Sequence, residues 1–152
     1  MPPVFCSEVD LLEGLFKNNM PKSAIYTKVP RGLIISFDEK IFFDTCDSGI
    51  KQSSLAVLDV FAELLKAISN YCVIEHHIQN NLCTENLQNW EISAIRSSNI
   101  AEYLVKYKNV PSEKIFDIGF GETMPFKENV NPQNSGFDNR VDFVIIEYEA
   151  KR

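Results

Sequence analysis

The sequence predicts a two-layer sandwich of the α+β type, with helices on one face of a mixed sheet and the element order β-α-β-α-β-β. Three observations predict it. Short runs rich in β-branched and aromatic residues, each of strand length, recur around Leu33, Val73, Phe116 and Val144. Two segments with apolar residues at helical spacing separate the first three of those runs. The two strand–helix–strand units imply right-handed crossovers, whereas the last strand follows a loop and is free to run antiparallel.

Taken in order, Ser7 is placed to cap a short helix, because Val9, Leu12, Leu15 and Phe16 recur at helical spacing behind it. Asn18, Asn19 and Pro21 stop that helix. The stretch around Ala24-Ile25-Tyr26 reads as a strand or an extended linker. Leu33-Ile34-Ile35-Ser36-Phe37 suits a strand, and Ile41-Phe42-Phe43 reads as its continuation past a turn or bulge. Residues 44–51 are loop-like. Ser53 or Ser54 then opens a helix with Leu55, Leu58, Phe61, Leu65 and Ile68 inward and Asp59, Glu63 and Lys66 outward.

Asn70 ends that helix, and Tyr71-Cys72-Val73-Ile74-Glu75-His76-His77 forms the next strand. After a polar loop from Gln79 to Gln88, Asn89 is a good N-cap for a long helix. Ile92, Ile95, Ile100, Tyr103, Leu104 and Tyr107 would share one side of it. Val110-Pro111 breaks the helix, Ile115-Phe116-Asp117-Ile118 is a strand ending at Gly119-Phe120-Gly121, and residues 141–148 form the last strand. Residues 1–30 are read as a short helix and linker, and residues 31–150 as the main domain.

Composition narrows the function. The chain has 152 residues, 45% hydrophobic and 24% charged, with 11 Phe and 5 Tyr, which excludes disorder and fits one domain. No apolar run reaches the length that spans a bilayer. Lys and Arg number 15 against 21 Asp and Glu, a net charge of -6 without a basic cluster. Nucleic acid and anionic membrane surfaces are therefore poor partners. Cys6, Cys46, Cys72 and Cys83 show no zinc-type spacing; Cys72 reads as a core residue, while Cys46 and Cys83 lie in loops the fold could bring together. The residues Met1-Pro2-Pro3-Val4-Phe5-Cys6 lack the basic and long apolar regions of a signal peptide.

Five separated stretches resemble the OmpA-like domain, the peptidoglycan-binding module of OmpA, Pal and MotB. They are Arg31-Gly32-Leu33-Ile34-Ile35 with Phe43-Asp44, then Ile74-Glu75-His76-His77, then Asn89-Trp90-Glu91-Ile92-Ser93-Ala94-Ile95-Arg96. Ile118-Gly119-Phe120-Gly121-Glu122 with Pro125 follows, and Asn139-Arg140-Val141-Asp142 closes the series. All five occur in order over residues 31 to 148, and the Asn-Trp-Glu-Ile-Ser form is similar to the MotB branch.

The resemblance implies the β-α-β-α-β-β fold, a periplasmic cell-envelope location, and a parent protein held by a membrane or lipid anchor outside this chain. It also implies envelope-complex partners, a homodimer, and the diaminopimelate of the peptidoglycan stem peptide as ligand. In such a site an Arg holds the ligand carboxylate bidentately and an Asp pairs with its ammonium. Arg96 matches the arginine, Phe43 and Asp44 would line the site, and Asn89 caps the helix that presents Arg96. The family's Gly-His-Thr-Asp is here His76-His77-Ile78-Gln79, so Gln79 replaces the acid, with Asn80 beside it. A Gln carbonyl accepts a hydrogen bond from an ammonium but supplies no countercharge.

Two functions follow as expectations. One is noncovalent anchoring to peptidoglycan, weakened by Gln79. The other is a degenerate domain serving as a structural subunit of an envelope machine, a secretion-system core or a flagellar stator, through protein contacts alone. No catalytic residue, metal or cofactor is expected. Adjacent strand residues point to opposite faces, so His76 and His77 cannot both reach one ion without a bulge. No nucleophile elbow or phosphate loop exists, and the Gly119–Gly121 turn lacks the third Gly of a dinucleotide motif. Arg140 is expected to be structural, paired with Asp117 or Asp142.

Overall fold

The computed structural model describes residues 7–79, 89–122 and 138–147. Helix α1, Glu8–Lys17, begins where expected: the Ser7 hydroxyl accepts from the Asp10 amide, and Glu8 and Asp10 complement the positive end of the helix dipole. Strand β1, Ile25–Val29, resolves the ambiguous stretch as an antiparallel edge strand on β2, Gly32–Asp38. Helix α2 is Leu55–Ala67, β3 is Cys72–His77, α3 is Asn89–Glu102, β4 is Ile115–Gly121 and β5 is Arg140–Ile146.

The sheet order is β1-β2-β5-β3-β4. Among the described strands only the β3–β4 pairing is parallel; β5 slots antiparallel between β2 and β3, so β2, β3 and β4 share one direction and the mixed α+β sheet is as expected. The hydrophobic layer lies between the sheet and the helices. Phe143 of β5 meets Phe61 of α2 at 4.3 Å between ring centroids, and Phe61 meets Phe16 of α1 at 5.2 Å. Leu33, Ile35 and Phe37 of β2 and Cys72 and Ile74 of β3 complete this layer from the same sheet face. Burial pushes the Cys72 thiol pKa far up, which keeps it protonated and inert, as a core residue should be.

Two local expectations are corrected. Ile41-Phe42-Phe43 does not continue the strand: Glu39–Ile41 is a 3-10 turn, because the Asp38 carboxylate accepts from the Lys40 amide and turns the chain. Phe42 and Phe43 are buried from that turn rather than from a strand. Ser54 stands at the N-cap of α2, as expected, although its hydroxyl donates to the Lys51 carbonyl rather than capping the helix. On α3, Ile95 and Tyr107 are exposed, and the buried stripe runs through Ile92, Ser93, Arg96, Ser97 and Ile100. A helix inward at 92, 96 and 100 must turn 95 away. The last turn widens to a π-helix at Tyr103–Tyr107, which moves Tyr107 further off the stripe.

Candidate functional site

The polar residues of α3 face inward because β4 approaches the helix closely. A Cβ on Gly119 would lie 2.2 Å from the Ala94 amide nitrogen, so only glycine permits this contact. The Ser93 hydroxyl, thereby fixed, accepts from the Gly121 amide at 3.1 Å and meets His76 Nδ1 at 2.8 Å. His76 Nε2 in turn lies 2.8 Å from Glu39 Oε1. Burial pushes the His76 pKa below its ordinary 6.5, and the Glu39 carboxylate only partly offsets that. A neutral imidazole with one donor and one acceptor nitrogen satisfies both neighbours.

Glu39 Oε1 also accepts from Arg96 Nη1 at 2.7 Å. Arg96 Nε and Nη2 donate to the Asp47 carbonyl at 3.1 and 2.8 Å, and Nη2 donates to the Asp44 carbonyl at 3.2 Å. Four of the five guanidinium N–H groups are thus engaged within the chain, leaving one on Nη1. The guanidinium carbon stands 4.9 Å from the Phe43 ring centre, and the residue is 2% exposed. Asn99 Nδ2 donates to the Ser48 carbonyl at 2.7 Å, so α3 grips the 44–48 loop at two places. Within that loop Cys46 is disulfide-bonded and holds a left-handed backbone, φ 65°. Cys83, its suggested partner, lies outside the described residues.

Of the expected site residues, Arg96, Phe43 and the backbone of Asp44 therefore meet around one guanidinium, while the Asp44 carboxylate points out, 3.6 Å from Lys51 Nζ. The Gln79 amide donates to Asn139 Oδ1 at 2.7 Å, and its side-chain Nε2 is enclosed without a hydrogen-bond partner. Asn89 is the first described residue of α3 and donates to Glu122 Oε1 at 3.2 Å. Asn80 lies outside the described residues. Glu39 and Ser93 belong to the cluster but carry no signal in spacing; a serine on the buried stripe of a helix is the only hint.

Strand alternation sends His77 to the opposite sheet face, as expected, despite a register shift between His76 and His77. There His77 Nε2 lies 3.3 Å from Glu75 and 3.5 Å from Asp142, and its ring stacks on Phe120 at 4.7 Å. Glu75, His77 and Asp142 offer ligand atoms within 4.8 Å of one another. Two guanidiniums already balance the two carboxylates: Arg31 on Glu75 at 2.9 Å and Arg140 on Asp142 at 3.0 Å. A metal ion would have to displace them. Burial raises the Glu75 pKa, but hydrogen bonds from His77 and Arg31 outweigh it and hold the carboxyl below its ordinary value. Arg140 thus has the Asp142 partner that the sequence suggested.

A family match spans residues 42–138, more than half of the chain. The chain belongs to the OmpA family. Members of this family are non-catalytic modules, and the expectation of a domain without enzymatic activity stands on that membership. The uncharacterized protein YtxE of Bacillus subtilis is 30% identical over 117 residues, covering 76% of this chain and 48% of that protein. The chain spans about half the length of the curated relatives it matches, from 48% to 59%. Among solved structures, a MotB-like protein from Desulfovibrio vulgaris superposes with a TM-score of 0.76 at 18% identity, covering 93% of this chain and 90% of that one. The cell wall anchor of the type VI secretion system from Pseudomonas aeruginosa superposes with a TM-score of 0.70 at 14% identity, covering 92% and 98%. These likenesses agree with the OmpA-like, MotB-like fold read from the sequence.

Proposed function

We infer that this OmpA-family domain anchors a longer envelope protein to peptidoglycan by holding the stem peptide noncovalently, on the periplasmic side of a membrane. The observation that carries this reading is the convergence of Phe43, the 44–47 loop and Arg96 from separate elements around one guanidinium. Phe43, Asp44 and Arg96 are positions that the family pattern assigns to the ligand. Asp44 and Gln79, with Asn80, complete the contact set, and Asn89 helps hold the start of α3. No helix among the described residues is long and apolar enough to cross a membrane.

The competing reading, a structural subunit of a secretion system or flagellar stator that touches the wall little, draws on a different observation. Arg96 spends four of its donors on its own chain. Phe116 and Ile118, 52% and 43% exposed on the edge strand β4, would give a protein neighbour or a second copy an apolar surface.

Co-sedimentation with purified sacculi separates the two readings. Asp44→Ala and Gln79→Ala are the variants to run beside the wild type, because neither side chain holds the core. Wild type in the pellet and both variants depleted from it support anchoring at this site. Wild type in the supernatant at every protein concentration overturns it in favour of the structural reading.

A further inference from the structure

We propose that residues 43–48 form a lid over Arg96 and His76, and that the lid opens when His76 takes up a proton. What this means for a wall ligand rests on the stem-peptide reading above; the opening itself does not.

His76 stands where the family pattern has Gly, and its side chain is fully buried. The hydrogen bonds around it have a fixed direction. Ser93 Oγ already accepts from the Gly121 amide, so its own proton goes to His76 Nδ1. His76 Nε2–H then donates to Glu39 Oε1, the same oxygen that accepts from Arg96 Nη1. This run of bonds is complete only with a neutral ring. A second ring proton would point at the Ser93 hydroxyl proton. It would also set two cations, His76 and Arg96, on one carboxylate and leave the buried cluster with a net positive charge. The neighbouring His77 adds a further opposing influence, while the sheet partners Val141 and Gly119 carry no ionisable group. Burial accordingly holds the His76 pKa below its ordinary 6.5.

The movable cover of this imidazole is Phe43, whose ring meets it edge-on at 6.0 Å between centroids. The same ring lies 4.9 Å from the Arg96 guanidinium carbon, and the Asp44 and Asp47 carbonyls close over that guanidinium. Phe42 stays behind as the hinge. It is wedged against Phe37 and Phe143, and its carbonyl accepts from the Lys51 amide at 2.7 Å. Beyond it, the bonds from Arg96 and from Asn99 to the loop carbonyls are polar contacts that water can replace. Cys46 is disulfide-bonded, so the segment lifts as a tethered loop. Lifting it lets water reach His76 and returns the imidazole to its ordinary pKa. Protonation therefore favours the open lid, and the open lid bares Arg96.

The test is hydrogen-exchange NMR on the ligand-free chain, its disulfide intact, from pH 7.5 to 5.5. The Nε–H of Arg96 and the side-chain amide of Asn99 report the lid, and the β5 amides report global unfolding. With each rate referred to its intrinsic value, the open fraction rises severalfold across that range, with a ceiling of about tenfold, and ahead of β5. His76→Gln, shown folded by circular dichroism, keeps a donor for Glu39 but cannot titrate, so its lid exchange loses the pH dependence. Lid signals that stay constant in the wild type while the His76 ring titrates overturn the proposal, as do lid and β5 signals that open together. Co-sedimentation with sacculi should then be greater at pH 5.5 than at pH 7.5. A lid that opens with no pelleting at either pH overturns the wall reading and leaves the lid standing.

Discussion

Gly119→Ala probes the contact on which the whole site is hung. The added Cβ would fall 2.2 Å from the Ala94 amide nitrogen and 2.5 Å from the Ser93 carbonyl carbon, where ordinary contacts begin at 3.4 Å. Helix and strand must therefore separate by 3.4 minus 2.2, or 1.2 Å, and both obstructing atoms are backbone. Forcing a methyl group into a packed contact costs about 1–3 kcal/mol, and a backbone obstruction belongs at the upper end. For a domain of this size a loss of about 3 kcal/mol lowers the melting temperature by roughly 6–12 °C. Urea denaturation followed by circular dichroism gives the same quantity as a shift in midpoint at unchanged slope. The separation also draws Ser93 away from His76 and the Gly121 amide. A variant with a wild-type midpoint would refute the close approach as the element that sets Ser93, His76 and Glu39 in place.

Other consequences follow from the same contacts. Arg96→Ala leaves the Glu39 carboxylate and the 44–47 carbonyls without their partner, and a broken buried pair costs about 3–5 kcal/mol. Thermal melting should show that loss, so a binding defect in this variant is no proof of ligand contact; an unchanged melting temperature would contradict the assignment. Phe61→Ala empties the space between Phe16 and Phe143 and should cost about 3–5 kcal/mol by urea denaturation, with a loss under 1 kcal/mol arguing against the packing. His76 has a folded pKa below its unfolded value of 6.5, so its neutral form contributes stability that is complete above pH 6.5 and declines as pH falls towards the folded pKa. The slope from one proton is at most about 1.4 kcal/mol per pH unit, and His76→Gln should flatten it below pH 6.5. Glu75 acts in a separate window: its lowered pKa means that its contribution is lost only as pH falls below 4.5. A slope unchanged in the His76 variant would count against the buried neutral imidazole.

The order of strands and helices was legible because it is written in periodicity. β-branched alternation marks β2, β3 and β5, and a single Ser fixes the start of α1. Ile41-Phe42-Phe43 misleads because an apolar triplet is buried in a strand and a turn alike; the deciding contact is the hydrogen bond that the Lys40 amide donates to the Asp38 carboxylate. Ile95 misleads for the converse reason, since its neighbours Arg96 and Ser93 take the buried positions that an apolar stripe would normally fill. Among the proposed ligand contacts, Arg96, Phe43, Asp44 and Gln79 could be named from a family pattern. Glu39 could not, because its partners His76 and Arg96 lie 37 and 57 residues away, a pairing that no local spacing encodes. The state of Arg96, buried and already paired, is a property of the folded loop rather than of any motif.

The most direct test of wall anchoring is a two-dimensional NMR titration of the chain with a soluble stem peptide. The side-chain amide of Gln79 and the Nε–H of Arg96 serve as reporters. Wall anchoring at this site predicts saturable shifts of both signals with one common midpoint, together with those of Phe43 and Asp44. Saturable shifts confined to other surfaces, such as the β4 edge at Phe116 and Ile118, would contradict it.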